Sequence, residues 1–257
     1  MTALHRADLR NFFLLVLLGS LPFYAIGWFG GRLPLLSALP VSALGAVVPG
    51  AVALLLASQR GNAGTLLRRS IDPRGVTGAG WAAALGIMPV AAGLNWLVVW
   101  LLRGSQGPLI WVGPGEALLM IGLLGLGALA EELGWQAYAY PLMRGPALRA
   151  ALVLGAVWAL WHLVPFLLMG RAPGWVLWHS LSIVAMRVVI VWLVVNAGQA
   201  VVLAVVLHLM SNAVWGLTRN YDAYYAPEWA FAALALLAAG IVVRHGPGLS
   251  PADPRAS

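Results

Sequence analysis

Cysteine is absent from the 257 residues, which excludes disulfides, thiolate metal sites and a cysteine nucleophile together. Charge is nearly as scarce. Only 9% of residues are charged against 61% hydrophobic, with a mean hydropathy of +0.88, far from the roughly 25% charged of a soluble domain. Water is therefore not the main solvent of this chain. Lysine is missing as well and all fifteen basic residues are Arg, a compositional bias with no chemistry attached. The net charge of +7 does not point to nucleic acid, because the Arg residues are scattered over short loops and form no basic stripe. Internal repeats and inverted hydropathy symmetry are also lacking, which disfavours the repeat-built secondary transporters.

Apolar helix is what the chain has in excess. A bilayer core about 30 Å thick takes about 20 apolar residues per crossing. Stretches bounded by Arg, Pro and Gly place helices near 10–29, 38–58, 79–102, 116–141, 147–168, 175–196, 199–218 and 228–243. The expectation is an all-α polytopic transmembrane bundle of about eight helices, a single membrane domain over 1–257. The polar segment Arg60 to Gly78 is its longest loop, and 244–257 is a short cytoplasmic tail that reads as disordered from Pro247 onward.

Arg6 and Arg10 before the first apolar run mimic a signal peptide, but the run continues to about Trp28 with no A-x-A site, so a retained helix is expected. With the N-terminus inside, the cytoplasmic segments hold Arg6, Arg10, Arg60, Arg68, Arg69, Arg74, Arg144, Arg149, Arg244 and Arg255, ten in all. Only Arg32, Arg103, Arg171 and Arg219 fall outside. This satisfies the positive-inside rule with both termini cytoplasmic, and the pattern fits a bacterial inner membrane. Gly122, Gly125 and Gly127 mark the fourth helix for close packing.

The chemistry lies in ionisable residues inside these apolar runs, because a charge at bilayer depth costs at least about 2.5 kcal/mol and usually faces a protected cavity. The fourth helix carries Glu131 and Glu132. Adjacent residues are 100° apart on a helix, so the two carboxylates serve different faces, whereas Glu132 and Gln136, at i and i+4, are placed to hydrogen-bond. Two carboxylates this close in a low dielectric do not both ionise easily, which favours one of them as a general base.

On the fifth helix Trp158 and His162 share a face, with Pro165 expected to kink the helix just beyond. On the seventh, His208 and Asn212 share a face and offer two neutral polar groups able to donate to an oxyanion. The sixth adds His179 and Arg187 on one broad stripe. A deep Arg needs a partner, and Glu132 or Glu131 is the candidate.

These spacings resemble the CPBP family, the CAAX-processing type II prenyl endopeptidases and bacteriocin-processing (Abi-like) proteins, whose pattern is EExxxR, then F/WxxxH, then HxxxN. Here the three are Glu131-Glu132 to Gln136, Trp158 to His162, and His208 to Asn212, in order on three helices within 116–217, a catalytic-motif core. The resemblance implies an intramembrane glutamic endopeptidase. Glu131 with His162 would activate a water, and His208 and Asn212 would stabilise the oxyanion. Glu132, Gln136, Trp158 and Arg187 would support them. It implies a peptide or membrane-protein substrate, the lipid bilayer as surroundings, no nucleic acid and no cofactor. The chain departs from the pattern at Gln136, which stands where the motif has Arg; Arg187 is placed to supply the missing charge.

Three other readings use the same residues. Glu131, His162 and His208 could relay protons or cations through the bundle. Two His and a Glu are also the ligand set of many zinc hydrolases, although no HExxH is present. A non-catalytic immunity-type protein would bind a peptide without cutting it.

Overall fold

The computed structural model describes residues 3–30, 32–33 and 36–250. It is an all-α bundle apart from one short ribbon. Its elements are α1 (Ala3–Trp28), β1 (Arg32–Leu33), β2 (Leu36–Pro40), a 3-10 turn (Val41–Val47), α2 (Val48–Ser58), α3 (Ala63–Ile71) and α4 (Gly78–Arg103). There follow α5 (Pro114–Glu132), a π-helical stretch (Leu133–Ala139), α6 (Tyr140–Leu142), α7 (Ala147–Leu168), α8 (Pro173–Asn196), α9 (Val201–Gly216) and α10 (Pro227–His245).

Among the described residues six helices are long and apolar enough to cross a membrane, and two shorter apolar segments, Ser42–Ser58 and Val201–Gly216, complete a set of eight. The chain is an integral membrane protein. Large apolar side chains such as Leu18, Leu101, Leu118, Leu126 and Leu236 stand exposed on the outer surface, as a lipid-facing surface requires.

α8 is the central helix. Some 61% of its apolar window is buried, against 17–39% for the other five long helices, and it packs between α7 and α10 while touching α9 and α4. It therefore places Arg187 where no solvent reaches. α9 packs on both α4 and α5, and α2 packs against α5 and the π-helical stretch.

Several segments differ from expectation for identifiable reasons. The second apolar run does not form one helix. The ribbon β1–β2 and a 3-10 turn precede α2, which restarts at Val48 because Pro49 has no N–H to donate back to Gly45 and suits a first turn. The expected loop after Arg60 contains α3, a short amphipathic helix that is too polar overall to read as a crossing segment. α7, by contrast, has the expected bounds, with Pro165 in its last turn. The start of the C-terminal tail is packed rather than loose: Leu249 is fully buried and its carbonyl accepts a hydrogen bond of 2.7 Å from Asn196 Nδ2. The remainder of the tail, 251–257, lies outside the described residues.

Close helix packing rests on other glycines than Gly122, Gly125 and Gly127. A Cβ at Gly122 would meet open space, and at Gly125 or Gly127 only ordinary contacts at 3.7 Å. A Cβ at Gly50 would instead lie 2.7 Å from the Ala130 carbonyl oxygen, and one at Gly134 would lie 2.6 Å from Pro49 Cβ. The backbone of α2 thus presses directly on the segment that carries the two glutamates.

Candidate active site

Glu131 and Glu132 end α5, where the chain widens into the π-helical stretch. Such stretches are rare and often mark functional sites. The two carboxylates have separate partners. Glu131, 5% exposed, accepts a hydrogen bond of 2.7 Å at Oε2 from Trp158 Nε1. Glu132, fully buried, accepts two from Arg187: Nη1 to Oε2 at 2.6 Å and Nη2 to Oε1 at 3.0 Å. His208 Nδ1 lies 3.0 Å from the same Oε1.

Charge repulsion between the glutamates is thereby relieved at one of them, because Glu132 has a guanidinium in bidentate contact. The guanidinium also lies over the Trp158 ring, 4.2 Å from its centroid. Gly155 makes room for this Arg. A Cβ there would come within 3.0 Å of Val184 Cα and 3.1 Å of Arg187 Cβ.

Gln136 does not bond Glu132. Its Oε1 and Nε2 are both buried without a hydrogen-bond partner. Two causes are visible: the π-helical stretch changes the register after Glu132, so i and i+4 no longer meet, and Arg187 and His208 already occupy the Glu132 oxygens.

The histidines are fixed in orientation. His162 Nδ1 lies 2.9 Å from the Trp158 carbonyl oxygen. A carbonyl can only accept, so Nδ1 carries the proton and the neutral ring offers a lone pair at Nε2. By the same logic His208 donates from Nδ1 to the ionised Glu132. This alters the expectation of two neutral donors, since His208 can donate from Nε2 only as imidazolium. Asn212 is the neutral donor available.

Trp158, His162, His208 and Asn212 line the inner part of a cavity of about 850 Å³. Glu131 is not on that wall; it sits behind Trp158, within electrostatic reach of His162. The cavity extends to the end of the bundle opposite the start of α1 and the end of α10, where three loops form its rim. Val112 N donates to the Leu217 carbonyl at 3.0 Å, Arg219 N to the Ile110 carbonyl at 2.8 Å, and Arg171 pairs with Asp222 at 2.8 Å. Arg219 also pairs with Glu116. Burial pushes the Tyr221 and Tyr225 hydroxyls well above the ordinary phenol range, so both remain protonated donors at the rim. Among the described residues no three His, Asp or Glu side chains are grouped to hold a metal ion.

His179 joins the cavity wall, apart from Arg187 on the same helix. The rings around it were hidden in the sequence because they come from different elements. Trp175 is on α8, Trp215 on α9 and Tyr225 in the following loop.

Residues 113–214, which carry every motif residue named above, match the family model described as Type II CAAX prenyl endopeptidase Rce1-like. Over that stretch the match agrees with the resemblance drawn from the three motifs. It supports a CAAX-type membrane protease in general. No curated protein matches the chain.

Proposed function

We propose that the protein is an intramembrane glutamic endopeptidase in which Glu131 and His162 together activate a water for attack on a peptide carbonyl. The observation that carries this reading is the convergence of α5, α7 and α9 at the inner end of one cavity. His162, His208 and Asn212 line it, and Glu131 stands directly behind the Trp158 that bonds it.

Trp158 does two things in this scheme. Its indole N–H holds Glu131 Oε2, and its carbonyl fixes the His162 tautomer, turning a lone pair at Nε2 toward the reacting water. That nitrogen takes the water proton, and the Glu131 carboxylate, within electrostatic reach of His162, stabilises the imidazolium that forms. Asn212 donates to the oxyanion, and His208 donates beside it from Nε2 when protonated, with Glu132 accepting at the other ring nitrogen. Arg187 takes the place of the motif arginine from a different helix. Both termini face the cytoplasm of a bacterial inner membrane, so the cavity opens on the opposite side. The chain is one membrane domain with its motif core over 116–217, and no cofactor takes part.

The test is cleavage of a quenched-fluorescent peptide library by the detergent-solubilised protein, comparing wild type with Glu131→Gln and His162→Ala. Turnover by wild type that both variants lose is the expected result. A folded wild type that cleaves nothing the variants do not cleave would end the enzyme reading, and proton flux in proteoliposomes without turnover would replace it with the relay.

A further inference from the structure

The cavity is far larger than the reacting groups need. His162, His208 and Asn212 take up a small part of its about 850 Å³, and the wall between them and the rim is built of rings. His179 is stacked on Trp175 with centroids 4.5 Å apart and meets Phe166 and Trp215 edge-on, each at 4.9 Å. Trp215 and Tyr225 are 4.0 Å apart.

One polar pair is set into this wall: His179 Nδ1 lies 2.6 Å from Tyr225 Oη. That bond occupies Nδ1, so Nε2 is the nitrogen that a ligand in the cavity can meet. Set among these rings, the pair gives the wall a polar contact that rings alone do not provide. Met88 and Met120 also line the cavity, and thioether side chains adapt to bulky apolar groups and make favourable contacts with rings.

Position gives the wall its meaning. His179 stands two ring-to-ring steps from His162, 5.4 Å to Phe166 and 4.9 Å onward, a path no longer than the reach of about three residues of extended chain. Resting on the peptidase reading, we infer that the aromatic wall around His179 is a substrate subsite. It takes a large apolar or aromatic side chain about three residues from the scissile bond, and His179 holds the neighbouring peptide backbone.

The experiment is fluorescence anisotropy on the full-length protein in detergent, using labelled peptides whose scissile amide is reduced so that they bind but cannot be cut. Peptides differ only by Phe or Ala three residues to either side of that bond. On one side the Phe peptide should bind wild type at least 10-fold tighter than its Ala counterpart. Trp215→Ala should bring that ratio close to one, His179→Gln should weaken both peptides several-fold, and Glu131→Gln should keep the ratio. Thermal melts establish folding, and Trp215→Leu repeats the measurement if Trp215→Ala does not fold. A wild-type ratio near one, or a full ratio in a folded Trp215 variant, overturns the subsite. Selective binding by a protein that hydrolyses none of the corresponding ordinary peptides upholds the subsite and counts against the peptidase reading instead.

Discussion

Arg187 and Glu132 form a bidentate ion pair with bonds of 2.6 and 3.0 Å, and both side chains are fully buried. Glu132 also accepts from His208 at 3.0 Å, so one carboxylate ties α5, α8 and α9 together. Removing one member leaves the other charged and unpaired in a low dielectric, which costs about 3–5 kcal/mol. Arg187→Met is expected to lose stability on that scale in thermal melts and to lose activity. Adding Glu132→Leu should restore much of the stability and none of the activity. Recovery of both would show that the pair only packs the bundle.

Trp158→Phe separates holding Glu131 from building the core. Phenylalanine keeps a ring beneath Arg187 and removes the indole N–H that bonds Glu131 Oε2. The expected loss is roughly 10- to 100-fold in kcat with little change in KM. A loss confined to KM would mean that this N–H positions substrate rather than the glutamate.

Asn212→Ala removes the neutral donor available to the oxyanion. A fall in kcat of about 10²- to 10³-fold is expected, with the melting temperature close to wild type. Equal kinetics in the variant would sink the oxyanion assignment.

Glycine substitutions should divide sharply. Gly155→Ala drives a methyl against Val184 Cα at 3.0 Å and Arg187 Cβ at 3.1 Å, and is expected to destabilise by about 1–3 kcal/mol through overpacking. Gly122→Ala meets open space and should be neutral or slightly stabilising, by about 0.5–1 kcal/mol, from helix propensity. Both are read by thermal melts in the same detergent.

The absence of cysteine makes the side on which the cavity opens directly measurable. Ser105→Cys sits exposed in the loop that runs on to the rim, and Ser58→Cys sits exposed at the opposite end of the bundle. A membrane-impermeant maleimide should label Ser105→Cys in intact cells and Ser58→Cys only after permeabilisation. The reverse pattern would invert the proposed orientation.

Hydropathy made the eight apolar segments legible, because the bilayer imposes a length on each crossing. The fourth was expected over 116–141 and spans Pro114–Leu142. The three motifs were legible as well, since each lies on one helix and places its residues by simple spacing. What escaped was whatever depends on a neighbour. No period in the sequence announces the π-helical stretch that leaves Gln136 unbonded. Gly155 looks like any other glycine until Arg187 is set against it. The tautomer of His208 follows from Glu132, 76 residues away along the chain, and the rings around His179 come together only in the folded bundle.

The loops that frame the cavity also limit what can be cut. Asn95 Nδ2 donates to the Ala226 carbonyl at 2.6 Å, Tyr224 hydrogen-bonds the Gly107 carbonyl, and Trp111 bridges to Thr218, so the rim is stitched across rather than hinged. A helix is about 10 Å across with its carbonyls hydrogen-bonded along its own axis, so its peptide bonds are shielded from groups at the inner end of a cavity. On the peptidase reading, an intact helix therefore offers no free carbonyl to the groups at His162 and Asn212. On that reading, a chain to be severed first surrenders its own helical hydrogen bonds and enters as an unwound thread. Selectivity would then depend partly on how cheaply a candidate unravels, so a Gly-Pro pair beside the cut should speed cleavage of an otherwise helical peptide. Equal rates with and without that pair would argue against such a limit.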